Sequence, residues 1–301
     1  MFLCYSFIGV LPSYIIDTVH QARCFYDGDI YLILDDMSSP HLKKLNTLNV
    51  HLIDYKDVFS MEFSDTLQKN SNKFCIVHGL IGREKLFIYS FERFFLLKNL
   101  MKKYDLKDCL FLELDNLIYD DPCKWVDNFS THQLCYMYDN VDRCSSGIMY
   151  VKNNESLTVL LNDTLDFINT TTEFLTEMTV LYRYYQKNKD TVQLLPIHWS
   201  SLAVPKESNE YYDKYNNTIF DAAAIGIYLL GRDPYHTNGT IVRYLFNPYS
   251  AINYTQYRFE WKKDEKDRNK PYIWDGEKWL LINNLHVHSK DLRSGLSLPI
   301  E

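Results

Sequence analysis

The chain has 301 residues, 46% of them hydrophobic, and a formal net charge of −7. That length and apolar content suffice for a substantial core in one large α/β domain and exclude intrinsic disorder. The acidic balance, with no basic stripe, excludes a general nucleic-acid coat but suits an acidic metal site.

At the amino terminus, MFLCYSFIGVLPSYIIDTV is apolar but has no basic n-region, and Pro12 and Asp17 interrupt it. It predicts a buried strand and turn, neither a signal peptide nor a membrane span, and hence a cytoplasmic protein. Seven scattered cysteines without C-x-x-C spacing, Cys75 and Cys109 among them inside apolar runs, agree with a reducing compartment. Sequons at Asn162 and Asn238 are expected by chance in so Asn- and Thr-rich a chain. The 24 tyrosines have two readings. Their faces suit nucleobases and sugar rings, and codon bias in an AT-rich genome accounts for the same excess.

The segments LCYSFIGV, SYIIDTVHQARCFY, DIYLILDD and FCIVHGL predict strand, helix, strand and strand, a βαβ signature. Parallel sheets of this kind gather ligands at the carboxyl ends of their strands. Asp35 and Asp36 close one such strand. Asp35 reads either as a nucleotide contact or as a solvated strand end.

Residues 87–104 have apolar positions at helical spacing and basic residues near the carboxyl end, where they suit the helix dipole. The predicted helix leads into CLFLELDNLIYDDP, a buried strand that abruptly offers Glu113, Asp115, Asp120 and Asp121. In an extended segment, residues i and i+2 point to one side, so Glu113 and Asp115 converge while Leu112 and Leu114 face the core. A charge adjoining so apolar a run calls for a partner or a metal, and a hard cation such as Mn2+ or Mg2+ takes oxygen ligands. Asp120 and Asp121, before Pro122, read as turn and helix-capping residues.

Further on, GIMYVKN reads as a strand, ESLTVLLNDTLDFI and TEFLTEMTVLYRYYQ as helices, and VQLLPI as a short strand. In FDAAAIGIYLLGRDPYHTNG, Asp221 is either a catalytic base or the cap of a buried helix. Residues 257–281 predict a hairpin or meander turning at Asp275-Gly276. In the closing NNLHVHSK, His286 and His288 share a face on an extended run, and either imidazole serves as a third metal ligand, with His288 preferred. Lys290 lies on the same face, suited to an anionic group.

The order of these features resembles the retaining GT-A glycosyltransferases of the glycogenin and lipopolysaccharide-galactosyltransferase family. There a strand of the type vLYLDxDxxv carries a D-x-D metal motif, and CLFLELDNLIYDD stands in its place with Glu113 for the first Asp. A family strand resembling fNSGvmxin is matched by CSSGIMYVKN, residues 144–153, and the resemblance implies that Ser145, Ser146 and Gly147 lie beside the donor sugar. It aligns Glu177, in TEMTVLYRYYQKNKDTVQLLP, with a catalytic-site acid that either contacts the sugar hydroxyls or sits near the anomeric carbon, although the family's acid-amide pair is absent. It likens Arg93 to a basic residue directed at the nucleotide, and H-x-H-x-K to a carboxyl-terminal H-x-x-G-x-K, without its Gly. The implied fold is a GT-A (Rossmann-like) α/β domain with a mostly parallel sheet, residues 1–120 forming the nucleotide-binding half and 121–301 the donor-sugar and acceptor half, with a C-terminal β extension on the acceptor side. The implied activity is metal-dependent transfer from a nucleotide sugar, UDP-linked by preference, to a glycan hydroxyl. Retention is favoured, while the unmatched Asp221 region leaves inversion open. The rival readings are a non-catalytic glycan-binding scaffold on a transferase fold and a sugar nucleotidyltransferase, whose Gly-rich loop is missing.

Overall fold

The computed structural model describes residues 1–74 and 85–300. The first strand β1 (Phe2–Phe7) stops where Gly9 takes a positive φ of 112°, a conformation that glycine adopts without strain. It is followed by α1 (Ile15–Arg23), β2 (Ile30–Leu34), α2 (Leu42–Thr47), β3 (Val50–Asp54) and α3 (Met61–Asn70). Strand β3 was not foreseen, because VHLID is five residues long and carries His51 and Asp54 within it. The strand expected over FCIVHGL lies, Phe74 apart, outside the described residues.

The long helix α4 (Leu86–Lys103) appears where its spacing predicts it, with Lys102 and Lys103 in its last turn. After it come β4 (Cys109–Leu112), β5 (Asn116–Ile118), α5 (Val126–Phe129), β6 (Leu134–Asn140), β7 (Arg143–Val151) and α6 (Asn154–Thr170). Helix α7 (Glu177–Lys187) begins later than expected because the Thr176 side chain caps it, accepting from the Thr179 N–H, so the preceding TEFL stays outside. The remaining elements are β8 (Val192–Leu195), α8 (Lys206–Glu210), α9 (Ala224–Leu230), β9 (Phe259–Lys263), β10 (Asn269–Trp274), β11 (Trp279–Leu281) and β12 (Asn284–His286).

Seven strands form the main sheet in the order β3-β2-β1-β4-β7-β6-β8. Strand β7 runs antiparallel to both neighbours and every other pairing is parallel. The result is the mixed, mostly parallel, helix-flanked sheet expected of a GT-A type domain. Buried on both faces, β4 is apolar throughout, and α4 packs beside it against β1, α6 and α7. The strand order reverses between β1 and β4, so their carboxyl ends open the crevice in which sheets of this kind hold ligands.

Two smaller pieces complete the fold. Strands β9, β10 and β11 form an antiparallel meander, turning at Asp275-Gly276 as expected, where Gly276 has a φ of 113° and the Asp275 carboxylate accepts from the N–H groups of Glu277 and Lys278. Buried Lys270 ties the meander to the main body, lying 3.6 Å from Asp120 and 3.4 Å from Asp264. Strand β12 pairs antiparallel with β5, setting His286 opposite Asn116. Among the described residues no helix is long and apolar enough to cross a membrane.

Candidate active site

Glu113 and Asp115 stand immediately past the carboxyl end of β4, beside the crevice. Their convergence comes from a turn and not from an extended strand, the Asn116 N–H donating to the Glu113 carbonyl at 3.0 Å. Leu114 points into the core, as the alternation predicts, and Asp121 caps the short helical turn Pro122–Trp125. The β5–β12 pairing brings His286 to the two acids. Its Nε2 lies 3.0 Å from a Glu113 carboxylate oxygen and 3.4 Å from Asp115, and one ligand atom from each of the three falls within 4.8 Å of the others.

His286 is held from behind. Its Nδ1 lies 3.3 Å from the Ala222 carbonyl, which assigns the proton to Nδ1 and leaves Nε2 facing the acids. Its backbone N–H donates to the Asp221 carboxylate at 3.0 Å. Asp221 is wholly buried and also accepts from Ile225 and Gly226 at 2.9 and 2.8 Å, so it caps α9 and fixes the histidine strand. Asn284 adds a second clasp, donating to Asn116 at 2.7 Å and to the Asp221 carbonyl at 2.9 Å while accepting from the Asp221 N–H at 3.0 Å. Two glycines make room. A Cβ on Gly147 would come within 3.0 Å of the His286 ring, and one on Gly226 within 2.1 Å of the His286 carbonyl oxygen.

His288 sits apart from this cluster. The chain leaves the strand after His286, and the His288 ring lies 4.5 Å, centre to centre, from that of His286. Burial, with help from the neighbouring charges of His286 and Lys290, pushes His288 down to about 3, and its Nε2 is a buried nitrogen without a hydrogen-bond partner among the described residues.

Cations compensate the acids. Arg93, largely buried, lies 2.5 Å from Glu113 and 3.6 Å from Glu177, and donates to the Ser146 hydroxyl at 2.7 Å. One helix residue thus links three sites read separately from the sequence. Lys290, with a φ of +62°, donates to Asp115. Burial alone would raise both carboxyls, but Arg93 and His286 hold Glu113, and Lys290 and His286 hold Asp115, well below the ordinary range. Burial resists charge on His286 too, and the two acids outweigh it, so its pKa rises well above the usual value. For Glu177 burial dominates over Arg93 and the carboxyl is raised. Asp35, exposed, accepts from the Gly9 N–H at 2.8 Å and so joins the loops after β1 and β2.

Three contributors carry no sequence motif: the Ala222 carbonyl, Asn284 and Tyr14. Burial raises the Tyr14 phenol to about 12 despite the opposing charge of Lys290. Asp139, near the carboxyl end of β6, was also passed over. It is buried against Arg143 at 2.7 Å, and burial still pushes its carboxyl up to about 6. A raised folded-state pKa means the fold holds a proton that the unfolded chain releases near 4, so stability falls as pH rises between about 4 and 6. Asp139→Asn is expected to remove that loss, worth about 3 kcal/mol at most. Urea denaturation of both proteins at pH 4 and pH 7.5 checks it; a stability difference that does not change with pH would refute the assignment.

No family model matches the sequence, and no curated protein matches it. Among solved structures the chain is similar to mouse xyloside xylosyltransferase 1, at 11% identity over 71% of this chain and 92% of that one, with a TM-score of 0.41. An active-site mutant of LgtC aligns at 12% identity over 74% and 85%, with a TM-score of 0.46. The PaToxG glycosyltransferase aligns at 15% identity over 62% and 69%, with a TM-score of 0.39.

Proposed function

We propose that the chain is a metal-dependent glycosyltransferase that moves a sugar from a nucleotide diphosphate sugar, UDP-linked by preference, to a glycan hydroxyl with retention. The observation that carries this reading is the Glu113–Asp115–His286 cluster at the carboxyl end of β4, in the crevice where the strand order reverses. Two carboxylates and an imidazole with its second nitrogen tied to a carbonyl form a donor set that fits Mn2+ or Mg2+. Bound there, such an ion supplies Lewis acidity to a departing diphosphate.

The chain's own residues supply the rest. Lys290, its side chain 42% exposed, exchanges its contact with Asp115 for a phosphate oxygen. Arg93 orients Glu113 and Glu177, and with Ser146 and Gly147 forms the wall against which the donor sugar lies. Asp35 borders the nucleotide side. Asp221, whose carboxylate is consumed by three backbone N–H groups, acts as a positioning residue for His286.

His286 is the imidazole ligand in this reading and His288 its neighbour. Calorimetry with UDP and manganese is expected to give metal-dependent binding for the wild type, a loss of about 100-fold or more in His286→Ala, and a change within about 3-fold in His288→Ala. The absence of any metal-dependent nucleotide binding in the wild type would favour the scaffold reading, for which the charge compensation of Glu113 and Asp115 by Arg93 and Lys290 is the supporting feature.

A further inference from the structure

Helix α4 carries a single acid, Glu92, on an otherwise apolar and basic run. The helix leads back to the start of β4, so its first turns stand at the carboxyl ends of the strands. From there Arg93 turns to Glu113 at 2.5 Å, and Glu92, about 100° around the helix, turns to the end of β3. It meets Tyr55, the first residue past β3, whose hydroxyl donates to one Glu92 carboxylate oxygen. Tyr55 is itself fixed. The Asp54 carboxylate accepts from the Lys56 N–H at 2.9 Å and closes the turn, and the Tyr55 ring tilts against Phe59 at 5.4 Å between centres.

Glu92 is buried at 7% exposure, yet only one of its oxygens is engaged. The other has no hydrogen-bond partner among the described residues and is reached by solvent. Burial raises the carboxyl, the Tyr55 bond opposes that, and the charge of Asp35 adds to it, which puts Asp35 near the pair. A plain tie between β3 and α4 would cost less with a neutral amide in place of the acid, so a buried carboxylate with an open oxygen calls for a donor.

The pair stands at a defined distance from the acid cluster. In the order β3-β2-β1-β4 the end of β3 lies three strand spacings from the end of β4, about 14 Å. A nucleoside diphosphate whose phosphates lie at Asp115 and Lys290 extends past β1 and Asp35 and brings its base to Tyr55 and Glu92.

The chemistry of the pair selects among bases. A carboxylate only accepts, and Tyr55 spends its proton on Glu92, so the pair offers acceptors and no donor. Uracil presents a ring N3–H on its pairing edge and guanine a ring N1–H, whereas cytosine and adenine have a bare ring nitrogen there. Their amino groups can reach a carboxylate, but the bare nitrogen alongside then faces a second acceptor and stays unpaired.

We propose that Glu92, positioned by Tyr55, reads the ring N–H of the donor's nucleobase, admitting uracil or guanine and rejecting cytosine and adenine. The inference rests on the nucleotide-sugar reading and adds to it the group that chooses the base.

Calorimetry of the full chain with manganese and UDP, GDP, CDP, ADP or inorganic pyrophosphate tests it. UDP or GDP is expected to bind at least about 10-fold tighter than both CDP and ADP, the tighter of the two naming the base. Glu92→Gln, whose amide both donates and accepts, should close the gap between bases of the same ring size to within about 3-fold and leave pyrophosphate binding at the wild-type level. Tyr55→Phe frees Glu92 to turn away and should lower the discrimination, again without weakening pyrophosphate. Equal binding of the four nucleotides by the wild type, or wild-type discrimination kept by Glu92→Gln, would overturn the proposal while pyrophosphate binding stands. No manganese-dependent binding of pyrophosphate or of any nucleotide would instead remove the transferase reading, and the proposal with it.

Discussion

Replacing Asp115 by Asn is expected to abolish metal-dependent nucleotide binding while the protein stays folded. Asp115 is buried at 6% exposure and, with Glu113 and His286, offers one of three oxygen and nitrogen atoms that lie close enough together to hold a metal ion. An amide oxygen is a poorer donor and carries no charge, so affinity for manganese with UDP should fall by at least about 100-fold. The competing expectation is collapse, since removing one partner of a buried ion pair costs about 3–5 kcal/mol when the other is stranded. Here neither partner is stranded. Lys290 is exposed enough to turn to water, and His286 keeps Glu113 at 3.0 Å. The loss of stability should therefore stay near 1–2 kcal/mol, about what a partly exposed pair contributes with one buried hydrogen bond. Calorimetry and urea denaturation read the two quantities independently. Undiminished metal-dependent binding in the mutant would remove Asp115 from the ligand set.

Gly226→Ala should act in the opposite order, on the fold first. A methyl group there would come within 2.1 Å of the His286 carbonyl oxygen and 2.9 Å of the Asp221 carboxylate. Backbone of a paired strand cannot swing aside as a flexible side chain can, so either α9 or β12 must shift. Overpacking of this kind costs about 3 kcal/mol or more, and the Asp221 bonds that fix His286 break with it. We expect a lowered urea midpoint together with weaker manganese binding. Gly226→Ala with wild-type stability would mean that the α9–β12 contact is looser than described.

The two substitutions probe different layers of one construction, and they divide what was legible in advance from what was not. Asp115 could be found in the sequence because a carboxylate at the end of an apolar strand is a local anomaly: CLFL must be buried, and ELD cannot be buried unpaired. The role of Gly226 could not, because its neighbour His286 is reached only when β12 returns to β5. The placement of His286 and His288 relative to the acids belonged to the same class. On an extended run the two are equivalent, and the end of β12 at His286 breaks that equivalence.

What the sequence determined by itself were the features that short-range periodicity and burial dictate: the α4 helix, the continuous apolar strands, the meander turning at Asp275-Gly276, and the acidic strand end. Each depends on residues a few positions apart, where backbone geometry makes spacing equal to direction. Tertiary structure alone decided which distant groups meet. Arg93 joins Glu113, Glu177 and Ser146, Asp221 serves as a clasp for His286, and Tyr55 meets Glu92 at the end of β3. Such meetings follow from strand order and chain return, whose energy is spread over the whole core, so that no local pattern of residues encodes them.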